Sequence, residues 1–458
     1  MYSKLLNTGF FLLPLLVCTE AAKFALPFNT NATAIRKLTA AAAEAAPIQI
    51  GVALYFQTNP MGRDNEIVAC QINEDGSIGS HKRYKTGGKG GAAPVSISDD
   101  NGKIAKLQLA STNDALFSQH SVIINGNYLF TVNAGSNSIT MFIVDPKDPL
   151  KLTAVGSKPT TSHGDLPVSL AYSPKLNTLC VANSGKRDGV ACYDVDPIKG
   201  LTCTDKEPLK RKIGTVKDGP AGTVSDMFFT DDQKNLIVIT KGNSVKKEAS
   251  IVDVYRTYPD ETKKSKICLE SVRSKISEAP LLFGAVQVSP TKIFATDGSI
   301  GVAKLTFDPK TLKVTLPAED KQTIDFQSAT GWIAKNPKYN TVYVTDGKMN
   351  RVIEFNSPTG EKTQDQSFLS GQPGNLDIAI GGDFLYTLSP SNLALAANTS
   401  MIQVMHITGK NKFQDIGAYV FDKDDDITAG AHGMAISCKS RTIKKKETRS
   451  LLSFLPFL

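Results

Sequence analysis

The sequence predicts an all-β protein: a seven-bladed β-propeller of four-stranded antiparallel blades, its ring closed by pairing the C-terminal strand with the N-terminal hairpin. Three observations carry this expectation. A strand-turn-strand hairpin recurs seven times between Ile48 and Ser440. The turns are written in the same residues, Asn, Asp and Gly, each time. The two ends of the array complement each other, one supplying a hairpin without a preceding strand and the other a strand without a hairpin.

The clearest copy is Gly164–Gly200. It holds an apolar run at Val168–Tyr172, a Ser-Pro-Lys turn, a second run at Thr178–Ala182, a Gly-rich turn, a third run at Val190–Val195 and an Asp-Pro turn. Runs of five or six residues bounded by turn formers read as short antiparallel strands rather than helix. Their inner runs are apolar on both faces. Such a unit must be sandwiched between neighbours.

In chain order, residues 1–21 have Lys4, an apolar run from Gly9 to Cys18 and small residues after it, which is the layout of a secretory signal peptide cleaved after Ala21. Residues 22–47 are Ala- and Thr-rich and read as a poorly ordered arm. From residue 48 to 440 the propeller follows, with hairpins at Ile50–Asn73, Tyr128–Asp145, Thr178–Asp196, Leu236–Tyr255, Lys292–Asp308, Thr341–Phe355 and Phe384–Ile407. Asn, Asp and Gly fill their turns because hairpin turns demand positive φ. Asp-Pro closes the third strand at 145–146, 196–197 and 308–309. A further strand precedes each of the last six hairpins, at Ser121–Ile124, Val168–Tyr172, Ser225–Phe229, Phe283–Val288, Gly331–Ala334 and Leu376–Ile380; a seventh, Gly433–Ser437, has none after it. Seven blades over roughly 390 residues give about 55 per blade, close to propeller spacing. Residues 441–458 turn basic and then apolar, too short to span a bilayer and read as a surface tail.

Hydrophobic content of 41% and charge of 21% are those of a soluble folded chain. The net charge of +8 is mild and suits an anionic surface such as cell-wall polymer. Without a basic stripe interleaved with aromatics it does not indicate nucleic acid. The sequence has no CxxC, HExxH, Gly-rich phosphate loop or GxSxG, so metal hydrolysis, nucleotide binding and α/β-hydrolase chemistry have no support. The acidic run at Asp422 lacks the glycine and spaced ligands of a calcium loop. No metal is expected. Sequons at Asn31 and Asn398 agree with export.

After loss of Cys18, six cysteines remain: Cys70, Cys180, Cys192, Cys203, Cys268 and Cys438. Cys180 and Cys192 are symmetric about one turn, Cys192 and Cys203 about the next. The shorter turn favours a Cys192–Cys203 disulfide, leaving Cys70, Cys268 and Cys438 unpaired.

The phrases NYLFTVNAGSNSITMFIVD and GDLPVSLAYSPKLNTLCVAN resemble blades of the lactonase-type seven-bladed propeller family, most closely its secreted fungal branch of 3-carboxymuconate cyclase-like glycoproteins. The resemblance covers about Ile48 to Ser440. It implies cofactor-independent interconversion of a small carboxylic acid and its lactone at the mouth of the central channel. That chemistry needs a general acid/base and cations for substrate carboxylates.

The loops leading into the innermost strands line such a mouth. They contain Gln119, His120, His163, Asp165, Asp218, Glu278, Gln327, Gln372 and His432, so three of the five histidines fall there. His163 beside Asp165 is the preferred acid/base pair, with Glu278 as the second candidate; Gln119, His120, Gln327 and His432 are candidate substrate contacts. The same loops hold no Arg, and the nearest basic candidates are Lys217, Lys335 and Arg187.

Two functions follow. One is a secreted lactonizing or lactone-hydrolysing enzyme, monomeric and cofactor-free. The other is a binding module that displays loops to extracellular matrix or cell-wall polymer. Arginines converging on His163 and Glu278 would favour the enzyme; an apolar or plugged channel would favour the binder. Export itself is testable: the secreted chain is expected to begin at Ala22, checked by N-terminal sequencing, and to lose mass on N-glycosidase treatment.

Overall fold

The computed structural model describes residues 48–441 apart from 99–103, 108–112, 215–220, 244–245, 259–265, 369–371, 373 and 392–398. The signal peptide, the arm, residues 442–458, both sequons, Lys217 and Asp218 therefore lie outside the described residues. Ile48–Arg441 forms one compact unit.

The strands β1 (Ile48–Gln57), β2 (Asp64–Ile72) and β3 (Ile78–Lys89) open the chain, and a separate hairpin, β4 (Val95–Ser98) and β5 (Ile104–Leu107), follows. The next blades are β6 (Val122–Asn125), β7 (Tyr128–Asn133), β8 (Ser138–Val144), β9 (Leu152–Ala154) and β10 (Thr160–Thr161), then β11 (Pro167–Ser173), β12 (Thr178–Asn183), β13 (Gly189–Asp196) and β14 (Gly200–Cys203). After these come β15 (Val224–Phe229), β16 (Asn235–Thr240), β17 (Ser250–Thr257) and β18 (Ile267–Ile276), then β19 (Leu282–Ser289), β20 (Lys292–Asp297), β21 (Gly301–Phe307), β22 (Val314–Thr315) and β23 (Lys321–Thr323). The last are β24 (Thr330–Asn336), β25 (Thr341–Asp346), β26 (Arg351–Asn356) and β27 (Lys362–Ser367), then β28 (Ile378–Gly381), β29 (Phe384–Ser389), β30 (Met401–Gly409) and β31 (Lys412–Val420), and finally β32 (His432–Arg441). Among the described residues there is no α-helix, only short 3-10 turns such as Ala318–Asp320 and Lys423–Asp425.

These strands form the expected seven blades, each an antiparallel sheet around a four-strand path, with β10 or β23 added to two of them. The first strand of each blade, β6, β11, β15, β19, β24, β28 or β32, has a paired neighbour on one side only. Its other edge faces the axis. Closure is as expected: β32 pairs with β1, from Ile48 opposite Arg441 to Gln57 opposite His432. The final blade thus takes its inner strand from one end of the chain and its three outer strands from the other.

Apolar side chains on both faces of each blade meet those of the next. Tyr55 and Phe142 fill one such layer, Phe56 and Tyr386 another, Trp332 and Leu385 a third. Each fully buried large apolar side chain contributes about 1.5–3 kcal/mol, so the ring is held mainly by these layers.

The turn residues do more than the expectation asked of them. Asn183, Asp297 and Asp346 end second strands, and their side chains reach sideways: Asn183 donates to the Ser162 carbonyl, Asp297 accepts from Leu281 N, and Asp346 accepts from Ser328 and Ala329 N. They brace the loops that lead into the inner strands. Positive φ falls, as expected of hairpin turns, on Asn137 just before β8 and on Gly189 and Gly301 at the starts of β13 and β21. The Asp of each Asp-Pro does similar work, with Asp196 accepting from the backbone of Ile198 and Lys199, each at 2.8 Å.

The disulfide also differs. Cys192 is bonded to Cys180, its direct cross-strand partner at a Cα separation of 4.1 Å, and not to Cys203. The turn between β13 and β14 places Gly200 at φ 86° and sets Tyr193, not Cys192, opposite Cys203. A one-residue slip turns a side chain to the other face of the sheet. Cys70, Cys203, Cys268 and Cys438 are free thiols. A non-reducing peptide map is expected to link the peptides of Cys180 and Cys192 and to find Cys203 alkylated without reduction; Cys203→Ser should leave the map unchanged, whereas Cys180→Ala should cost about 2–4 kcal/mol in a denaturant titration.

Candidate functional site

The seven inner strands enclose an axis, and the segment from Asn113 to Ser121 lies across it. Its polar groups reach round the ring. Asn113 donates to the Ser391 carbonyl at 3.1 Å, Ser118 to Val168 at 2.8 Å, and Gln119 N to Ser225 at 2.8 Å. The Gln119 amide crosses to β24, donating to the Ile333 carbonyl at 2.8 Å and accepting from Ile333 N at 3.2 Å. Gly284 on β19 lets this amide pass: a Cβ there would stand 2.1 Å from Gln119 Oε1. Ser121 meets His432 of the closing strand, Oγ to Nδ1 at 3.0 Å. Asp114, Phe117 and His120 take positive φ, so the segment is held in a backbone form that its own residues disfavour.

Below this plug is a cavity of about 530 Å³, walled by all seven inner strands and opening on the face that carries the turns between first and second strands. The walls combine apolar side chains, such as Phe229, Val286 and Ile380, with the unpaired backbone edges of the strands. His120 forms part of the floor, with 30% of its side chain open.

His120 Nδ1 lies 2.5 Å from Asp226 Oδ1, and Asp226 is fully buried on β15. The Asp226 carboxylate is fixed by the backbone amides of Met227 at 2.7 Å and Ala285 at 2.9 Å. This holds the imidazole with Nε2 turned away from Asp226. Burial lowers the His120 pKa, but the charge and hydrogen bond of Asp226, followed by Asp377, more than offset it, and the group titrates above the ordinary histidine range.

Further acids and bases back the floor. Asp377, at φ 81°, accepts from Ile378 N through Oδ1, while its buried Oδ2 has no hydrogen-bond partner among the described residues. Burial raises its pKa to about 6 against the pull of His432. His432 is buried, its Nε2 3.2 Å from Asp114 Oδ1 and its ring packed edge-on to Trp332 at 6.1 Å. Burial raises the Asp114 carboxyl as well. Lys241, also buried, donates to the carbonyls of Phe117 and Val224 and lies over the Phe283 ring at 5.0 Å. Burial pulls its pKa down to about 7 against Asp114 and Asp226.

Of the residues singled out in the sequence, the structure brings together Gln119, His120 and His432. Lys335 lines the cavity mouth. His163 stacks on Tyr193 at 6.1 Å and does not line the cavity; burial lowers its pKa. Asp165 is held instead by Arg187, at 3.1 Å from Nε and 2.7 Å from Nη2. Glu278 is exposed in the turn after β18. Gln327 ties its loop to the turn between β20 and β21, donating to Gly298 O and accepting from Thr330 Oγ1, and Gln372 donates to Ser389 and Thr399 carbonyls. Asp226, Asp377, Asp114 and Lys241 were missed. A carboxylate inside the apolar run Val224–Phe229 was the one signal that could have found Asp226.

The fold and site define a seven-bladed propeller with an axial cavity and a His–Asp pair at its floor. Solved lactonase-like propellers share the fold. A candidate 6-phosphogluconolactonase of Bacteroides fragilis aligns with a TM-score of 0.57 at 12% identity, over 86% of this chain and 99% of its own. The periplasmic gluconolactonase of Pseudomonas aeruginosa aligns with a TM-score of 0.57 at 14% identity, over 85% and 99%. A hypothetical selenium-binding protein of Sulfolobus tokodaii gives 0.52 at 11% identity, over 86% and 95%. At these identities the likeness is one of fold. No protein-family model matches the chain, and no curated protein sequence does.

The raised Asp377 pKa has a consequence for stability. Because the folded value, about 6, exceeds that of a free carboxyl, 3.8, the native state binds the extra proton. This contribution is fully present below pH 4 and is lost as pH rises through 6. Urea midpoints measured between pH 4 and 7 are expected to carry this downward component in the wild type and to lack it in Asp377→Asn.

Proposed function

We propose that this chain interconverts a small lactone and its hydroxy acid in the axial cavity, with His120 as general base and Asp226 as the group that orients it. The observation that carries the reading is the His120–Asp226 pair, buried on the Asp side and open to the cavity on the His side. For hydrolysis, His120 Nε2 takes a proton from water as its oxygen bonds to the lactone carbonyl carbon. The ring C–O bond then breaks, and the leaving oxygen takes that proton from the imidazolium. One water is consumed and one hydroxy acid formed. Asp226 stabilises the imidazolium without itself accepting the proton.

The finer expectations belong to the same proposal. Export is supported by the signal-like N-terminus and by the Cys180–Cys192 disulfide, which suits an oxidising compartment. A carboxymuconate-like substrate finds less support. Among the described residues the cavity is lined by one cation besides His120, Lys335, and that is already paired with Asp231. A second reading is ligand binding without turnover, which the plug across the axis favours.

A lactone panel separates the two. His120→Ala is expected to lower kcat/KM by about 10²–10⁴-fold, while His163→Ala, outside the cavity, leaves it unchanged. The rate should rise with pH as His120 loses its proton, with the limb above about 6.5; Asp226→Asn should move that limb to lower pH. Equal turnover in wild type and His120→Ala would remove the base, and binding without turnover would establish the second reading.

A further inference from the structure

The mouth of the cavity carries a charge pair. Lys335, near the end of β24, places Nζ 2.9 Å from both carboxylate oxygens of Asp231 and 2.9 Å from the Gln287 carbonyl. Asp231 belongs to the turn after β15, and its own N–H donates to Gln287 Oε1 at 2.7 Å. Both side chains line the cavity. The cation at the mouth is thus saturated by the protein itself.

At the other end, the floor is backed by Asp226, Asp377 and Asp114, with Lys241 spending its hydrogen bonds on the carbonyls of Phe117 and Val224. A phosphate or carboxylate brought to His120 would meet carboxylates behind the imidazole, and among the described residues the one Lys or Arg along the walls is Lys335, already paired with Asp231. Between the ends, the inner strands have no neighbouring strand on the axis side, and the edge N–H and C=O groups not already bonded to Gln119, His120, Asp226 or Lys335 are neutral. Such groups match the hydroxyls of an uncharged molecule. An anion desolvated there would lack compensation.

Resting on the lactone reading above, we infer that the cavity selects an uncharged, hydroxyl-bearing lactone over phosphorylated or carboxylated ones, and that Asp231 enforces the selection by occupying Lys335. Asp231 touches no reacting atom. Its role is to deny the substrate a counter-ion. Removing its charge frees a cation at the mouth, where an anionic substituent far from the reacting carbonyl can reach it.

The test uses the full chain and a matched pair of probes, glucono-1,5-lactone and its 6-phosphate, with wild type, Asp231→Asn and Asp231→Asn/Lys335→Met. Asp231 is largely exposed, and exposed ion pairs contribute little to folding. Wild type is expected to favour the neutral lactone at least tenfold in kcat/KM. Asp231→Asn should narrow that ratio at least fivefold by improving the phosphorylated probe, and the double variant should restore it. A wild-type preference for the phosphate, or a ratio unmoved by Asp231→Asn, overturns the inference while leaving the His120 mechanism standing. If neither probe turns over, the lactone reading fails instead. Calorimetric binding of gluconate amide and 6-phosphogluconate then decides charge selection: preference for the neutral ligand, eroded in Asp231→Asn, supports it, and any other order overturns it.

Discussion

Ring closure by β1 and β32 is the constraint on which the rest depends. Pairing the first strand with the last fixes the number of blades and leaves no terminal blade face for solvent or another chain. With seven inner strands around one axis, the centre is too wide to be filled by wall side chains alone. It is filled instead by a piece of chain. The segment from Asn113 to Ser121 accepts positive φ at three of its residues, and the polar partners it finds around the ring compensate for that conformation.

The same segment sets up the chemistry. His120 belongs to the segment itself and His432 opens the closing strand, far away in sequence, yet Ser121 holds His432 within hydrogen-bonding distance while Asp226 holds His120. Several acids and bases with displaced pKa values lie behind one cavity floor. Burial is the leading cause of displacement at Asp377, Asp114 and Lys241, so each would relax toward its ordinary value if water entered the plug. Such a concentration of perturbed groups is characteristic of functional sites, where folding energy is forgone to hold chemistry in place.

Much of the fold was legible in the sequence because its signal is periodic. Seven hairpins with the same turn residues, and ends that complement each other, identify a closed propeller without knowledge of any contact. The β4–β5 hairpin and the short extra strands carry no such periodicity and were not anticipated. The disulfide was misjudged by a single residue of register, because Gly200 widens a turn that looked tight. Within the site, His120, His432 and Gln119 stood out as polar residues in lead-in loops. His163 stood out equally, yet stacks on Tyr193, because the sequence does not say which of seven similar loops dips into the axis. Asp226 and Asp377 were hidden for the opposite reason: one lies within and the other beside a strand that reads as scaffold, and their significance lies in which groups each carboxylate faces.

The plug has one more consequence. Because it lies across the axis, the described residues leave the cavity one evident door, at the face of the turns between first and second strands. Through that door a ligand would enter and leave by the same route, so arrival and departure would share one passage. A spent ligand and a fresh one would compete for the same threshold, and the time each spends there would govern how often the cavity can be used.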